Sequence, residues 1–211
     1  MIILQDGDLI AISRGVTKEN IVYIAEILIE CGMRYLEVSL SEENEGLGCI
    51  EYLAGIYSKE LHIGAGTVLR QDLVDRALNA GATYLITPAF DKELITYMLK
   101  KNARVFPGVF TPSDIMQSIN MGLTQLKLFP IVNIADNYIK NIKSPFPNVE
   151  FIGVGGINID NIRKYYKEGC HFFGLGSDLI PKGADKTTKT KIANKAKAYI
   201  QAINELRIPC T

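Results

Sequence analysis

Apolar residues recur along this chain in two alternating rhythms. A short β-branched or apolar run comes first, and a longer stretch with helical spacing follows it, again and again. The short runs predict strands at 9–13, 35–39, 62–67, 84–87, 104–110, 125–129, 150–154 and 171–175. Between the first two lie Ile21, Ile24, Ala25, Leu28 and Ile29 on one helical face, stopped by Gly32. A weaker helix at 42–57 is interrupted by Gly46, Gly48 and Gly55. Leu73, Val74, Ala77 and Leu78 mark the next, closed by Gly81, and 91–101 the one after it. Thr111-Pro112-Ser113-Asp114 combines a capping threonine, a first-turn proline and an acid near the positive end of the helix dipole. That helix ends at Gly122; a polar helix at 137–143 and another at 158–168 follow. The last carries Ile192, Ala196, Tyr199, Ile203 and Leu206.

Eight strand-then-helix units with no long linker imply parallel strands joined by right-handed crossovers, and eight is the number that closes a (β/α)8 TIM barrel. The expectation is a single barrel domain over residues 1–211. An open doubly wound sheet is the competitor, but no GxGxxG follows the first strand and every loop is short.

Composition narrows the partners. With 23 Lys+Arg against 23 Asp+Glu the net charge is zero, so no global field attracts nucleic acid or an anionic membrane. An anionic ligand must be held by local groups. Glu26 and Glu30 break the most apolar helical run before it reaches membrane-spanning length. Residues 1–8 hold two acids and no basic residue, unlike a secretory signal, which points to a cytoplasmic protein. Cys31, Cys49, Cys170 and Cys210 form no CxxC pair, and His62 and His171 are the only histidines, so no metal site is expected.

Two strands carry a charge where a barrel strand should be apolar on both faces. In Leu36-Glu37-Val38 and Leu126-Lys127-Leu128 the flanking residues suit the helix layer, so alternation turns Glu37 and Lys127 into the barrel. Both belong to even-numbered strands, whose side chains share layers. A buried structural ion pair is the plain reading, yet two buried charges rarely add stability over an apolar pair. The chemical reading is stronger. Desolvation favours the neutral form of an amine, a neutral amine attacks carbonyls, and a carboxyl group nearby can shuttle the protons of iminium formation.

Glycines cluster after the last two strands, at Gly155-Gly156 and at Gly174-Leu175-Gly176-Ser177, where barrels commonly build a phosphate site. Gly64-Ala65-Gly66-Thr67 places Thr67 at the same end. His62 and His171 begin their strands at the opposite face and read as structural. The lysines of 182–197 read as a solvated helix face, and Glu42, Glu43 and Glu45 as an acidic first turn.

The segments LEVSL around Glu37, GAGTVL from Gly64, ITPAF around Pro88, FPGVFTPSD from Phe106, LKLFP around Lys127, VGGI from Val154 and GLGS from Gly174 resemble one family across nearly the whole chain. These are the 2-keto-3-deoxy-6-phosphogluconate aldolases, also called 4-hydroxy-2-oxoglutarate aldolases. The resemblance implies a class I lyase without metal or cofactor, usually a trimer, that splits a 2-keto-3-deoxy sugar acid 6-phosphate into pyruvate and glyceraldehyde 3-phosphate. It implies Lys127 as the Schiff-base lysine and Glu37 as general acid/base. Thr67, Pro88 and Phe129 would line the pyruvyl pocket, and Gly155, Gly156, Gly176 and Ser177 would hold the phosphate. Two positions depart from the pattern. Ser41 stands where members often carry a carboxylate-gripping arginine, and Val154 where many carry threonine. Arg14 resembles the Arg-Gly of a branch acting on the galactonate analogue and would bind substrate in its place. The alternatives are an epimerase-type phosphate-binding barrel, in which Lys127 and Glu37 trade protons without a covalent bond, and a binding relative with little turnover.

Overall fold

A computed structural model describes residues 4–207. The strands are β1 (Leu9–Ser13), β2 (Tyr35–Ser39), β3 (His62–Gly66), β4 (Tyr84–Ile86), β5 (Val105–Phe106), β6 (Gly108–Val109), β7 (Gln125–Leu128), β8 (Glu150–Val154) and β9 (Phe172–Leu175). The helices between and after them are α1 (Lys18–Glu30), α2 (Glu43–Tyr57), α3 (Gln71–Asn79), α4 (Lys92–Lys100), α5 (Pro112–Asn120), α6 (Tyr138–Lys143), α7 (Ile162–Lys167) and α8 (Lys189–Arg207). All strand pairings are parallel, in the order β5-β4-β3-β2-β1-β9-β8-β7-β6, which makes a nearly closed TIM-type barrel.

The ninth strand arises from a division. The run expected as one strand at 104–110 breaks at Pro107, which has no N–H to give a ladder and so splits it into β5 and β6. β5 pairs with β4 and β6 with β7. Gly108 N–H donates to the Thr87 hydroxyl at 3.0 Å, and Pro107 C=O accepts from Lys127 N–H at 2.9 Å. A side chain thus completes the seam that backbone alone leaves open.

Burial sorts the apolar residues into two cores. Leu36, Val38, Leu126 and Leu128 belong to the large layer between strands and helices. Ile10, Ile12, Tyr35, Tyr84, Ile86, Phe106, Ile152, Val154 and Phe172 fill the barrel itself, with Phe129 against them. The expected capping threonine of α5 is present and Asp114 makes it a full capping box: Thr111 Oγ1 accepts from Asp114 N–H while the Asp114 carboxylate accepts from Thr111 N–H. One helix starts later than expected. Residues 158–161 form a side-chain-bonded turn, Asn158 Oδ1 accepting from Asn161 N–H and Asn161 Oδ1 from Asn158 N–H, so α7 begins at Ile162. Among the described residues no helix is long and apolar enough to cross a membrane and no three metal-ligating side chains cluster. Cys31, Cys49 and Cys170 are free thiols, and Cys210 lies outside the described residues.

Candidate active site

Glu37 and Lys127 enter the barrel because their neighbours leave it. Leu36, Val38, Leu126 and Leu128 pack outward, so strand alternation turns the charged residues inward, where they are 2% and 6% exposed. Lys127 Nζ sits 5.0 Å from the Phe129 ring centroid. Neither side chain joins an ion pair among the described residues, and Glu37 Oε2 is buried without a hydrogen-bond partner. Burial pushes the Glu37 carboxyl above the usual carboxylate range, with the positive charges of Lys127 and then Arg14 pulling back. The result is a carboxyl group suited to hold and release a proton beside an amine.

Space for Glu37 comes from β3. A Cβ on Gly66 would lie 1.7 Å from Glu37 Oε1, and one on Gly64 would lie 2.0 Å from the Tyr84 ring. The sequence shows these glycines, but the acid and ring they admit become visible only with the register Glu37↔Gly64↔Tyr84. Thr67 follows at φ 60°, left-handed backbone that a β-branched residue rarely adopts and that costs about 1–3 kcal/mol. It lies one residue past the end of β3, so the strand stops at Gly66 rather than at the expected 67. Its hydroxyl shares a 3.1 Å hydrogen bond with Ser39, which shares another of 3.2 Å with Ser41. Ser41 is therefore part of a hydroxyl chain along the end of β2. Pro88 backs onto Gly108, whose Cβ would meet the Pro88 carbonyl carbon at 2.4 Å.

Above the barrel opens a cavity of about 550 Å³ that gathers Arg14, Phe129, Gly155, Gly156, Gly176 and Ser177, with Ile12 and Val154 at its floor. Lys127, Glu37, Thr67 and Pro88 are not among its lining residues. Gly155 and Gly156 hold φ of 94° and 79°, and a Cβ on Gly155 would press on the Phe129 ring at 3.0 Å. At Gly176 nothing stands within 4 Å of an added Cβ. Its carbonyl accepts from the N–H groups of Leu179 and Ile180, closing a turn after β9. Asp178 in that turn accepts from Lys195 Nζ and the Tyr199 hydroxyl, both at 2.6 Å. Burial alone would raise Asp178; these two bonds together with the charges of Lys195 and Lys191 outweigh it and hold the carboxyl below the usual range.

Lys182 is exposed, as expected for the solvated lysines of 182–197, and it also lines this cavity. Its amine is 3.9 Å from Glu42. The signal available in the sequence is its place five residues past Ser177, ahead of α8. The acidic run does more than sit in a helical turn: Glu43 accepts from Arg70 and Arg76, and Glu45 accepts from Lys18 N–H. His62 packs on Tyr35 and His171 lies 3.6 Å from Asp6, away from the cavity.

A family model described as KDPG and KHG aldolase matches residues 2–195. The chain is 30% identical over 198 residues to a 2-dehydro-3-deoxy-6-phosphogalactonate aldolase of Escherichia coli, covering 93% of this chain and 95% of that one. A solved structure described as native KDPGal superposes with a TM-score of 0.87 at 28% identity, over 97% of this chain and 98% of the other. A KDPG aldolase from Legionella pneumophila, solved with pyruvate captured as a covalent carbinolamine, superposes at 0.78 with 26% identity, over 94% and 92%.

Proposed function

Because the chain belongs to the KDPG and KHG aldolase family, we propose that it cleaves a 2-keto-3-deoxy sugar acid 6-phosphate to pyruvate and glyceraldehyde 3-phosphate through a Schiff base on Lys127. The observation that carries the reading is an amine and a proton-holding carboxyl buried together in one barrel interior. Once Lys127 has given up a proton its Nζ attacks the C2 carbonyl, and proton transfers from Glu37 turn the carbinolamine into an iminium with loss of water. Removal of the C4 hydroxyl proton breaks C3–C4, and the electron pair passes into the iminium as an enamine while the aldehyde departs. Protonation at C3 and hydrolysis release pyruvate and regenerate the amine.

In this reading Thr67, Pro88 and Phe129 bound the pyruvyl half. Gly155, Gly156, Gly176 and Ser177 hold the phosphate through backbone N–H groups and a hydroxyl, with Lys182 supplying charge. Arg14, lining the cavity while Ser41 is engaged by Ser39, favours the galactonate-type acid over the gluconate type. The test is borohydride reduction in the presence of pyruvate followed by peptide mass analysis. An adduct on Lys127 supports the reading, and isomerised product without an adduct overturns it. A panel of phosphorylated and unphosphorylated keto acids then ranks the substrates by pyruvate release.

A cytoplasmic homotrimer is the proposed working form. Leu69, Phe110, Met116 and Val132 are large apolar side chains left exposed, which supports self-association. Light scattering giving one chain mass would end that part of the proposal.

A further inference from the structure

The barrel interior holds a second orphaned polar atom besides Glu37 Oε2: the hydroxyl of Tyr84, fully buried and without a hydrogen-bond partner. The two residues occupy one row of the sheet, Glu37 on β2 and Tyr84 on β4, separated by Gly64 on β3. Gly64 has no side chain to stand between them, and the Tyr84 ring occupies that space, its Cε2 and Cζ 2.0 and 2.3 Å from where a Cβ would be. On its other sides the ring meets Phe106 and Tyr35 edge-on, at 5.6 and 6.4 Å between centroids. A phenylalanine would fill the same volume without burying an unpartnered hydroxyl, so packing does not account for the oxygen.

We infer that Tyr84 is a positioning residue for Glu37, its hydroxyl joined to the free carboxyl oxygen through one buried water. The inference rests on the aldolase reading for its consequence, since Glu37 is the group whose proton is moved. Two orphaned oxygens facing one interior give a bridging water the partners it requires. The groups that face Glu37 are Lys127 from β7, Arg14 after β1 and Tyr84 from β4; β3 contributes only glycines. The two cations act on the carboxyl by charge, and Tyr84 is left to hold it by a hydrogen bond. Burial, and next the charge of Glu37, keep the phenol protonated far above neutrality, so it stays a donor wherever the enzyme works. A donor aimed at a carboxylate favours its charged form and fixes its rotamer.

The experiment is Tyr84→Phe, which keeps the ring over Gly64. The expected result is an acidic limb of the kcat profile moved to higher pH by about half a unit or more, because Glu37 has lost a donor to its charged form. The plateau kcat falls about threefold to tenfold, KM changes by less than about twofold, and pyruvate is still trapped on Lys127. An unchanged pH profile in a folded variant overturns the inference. If the unmodified protein itself traps no pyruvate, the aldolase reading is what fails. The Tyr84 coupling is then decided without turnover, by infrared titration of 13C-labelled glutamate carboxyls. A Glu37 band whose midpoint rises in Y84F supports the coupling, and an identical midpoint in both proteins refutes it.

Discussion

Two carboxylates near the catalytic end of the barrel have opposite surroundings. Asp178, in the turn after β9, accepts two short hydrogen bonds and is held below the usual carboxylate range. Glu37, in the barrel interior, has an unpartnered oxygen and is pushed above it. Asp178 ties a loop to α8 and contributes to the fold as an anion. Glu37 is kept where ionising is unfavourable, which the fold tolerates at a cost in stability and which proton transfer requires. A missing partner alone does not mark function, since Arg104 Nε and Glu168 Oε2 are also buried without one; what sets Glu37 apart is that its free oxygen shares the barrel interior with Lys127.

The comparison breaks most severely at the amine. Lys127→Met should cut kcat/KM for pyruvate release by about 10⁴-fold or more while circular dichroism stays unchanged, since the covalent step disappears and an apolar chain fills the space. Glu37→Gln comes next, with kcat falling about 10²- to 10⁴-fold. Its stability should move the other way. Between the ordinary carboxylate pKa and the elevated value in the fold, the native protein holds a proton that the unfolded chain has released, so stability falls as pH rises through that window. The Gln variant escapes this loss, and its Tm at neutral pH should exceed the parent's by about 2–4 °C, a gain that vanishes below the ordinary range. A lower Tm at neutral pH would remove the distinction between the two acids.

Asp178→Asn should show the reverse pattern: Tm lower by about 2–4 °C at neutral pH and kcat within about threefold of the parent. Asp178 contributes stability above its unfolded pKa and loses it as pH falls through its lowered folded value, so thermal scans of the two proteins should converge in acid. The smallest effect belongs to Lys182→Ala, an exposed cation at the cavity mouth. KM for a phosphorylated acid should rise about threefold to tenfold with kcat within about twofold, and KM for the unphosphorylated acid should stay constant.

Much of this site can be read from the chain because it violates a rule. Glu37 and Lys127 interrupt apolar strands, and alternation alone directs them inward. Residues that obey local rules give no such signal. Tyr84 reads as one more aromatic in a strand, and its hydroxyl matters only because the register sets it across Gly64 from Glu37. Lys182 sits in a lysine-rich stretch and is distinguished only by the turn that folds residues 176–180 over the cavity. Pro107 and the Asn158–Asn161 pair moved element boundaries because a missing N–H and side-chain bonds overrode strand and helix patterns.

The seam at Pro107 also bears on aggregation. A complete barrel has no edge strand to recruit another chain, which removes the commonest route from sheet to fibril. Here the Gly108 amide, in a strand only two residues long, is occupied by the Thr87 hydroxyl, which in turn donates to Ala89 C=O. Gly108 is buried against the Pro88–Ala89 backbone, so the Thr87 oxygen supplies a partner to an amide that would otherwise be buried without one. A threonine that looks like an ordinary β-former thus takes the place of a ladder hydrogen bond where the sheet closes on itself.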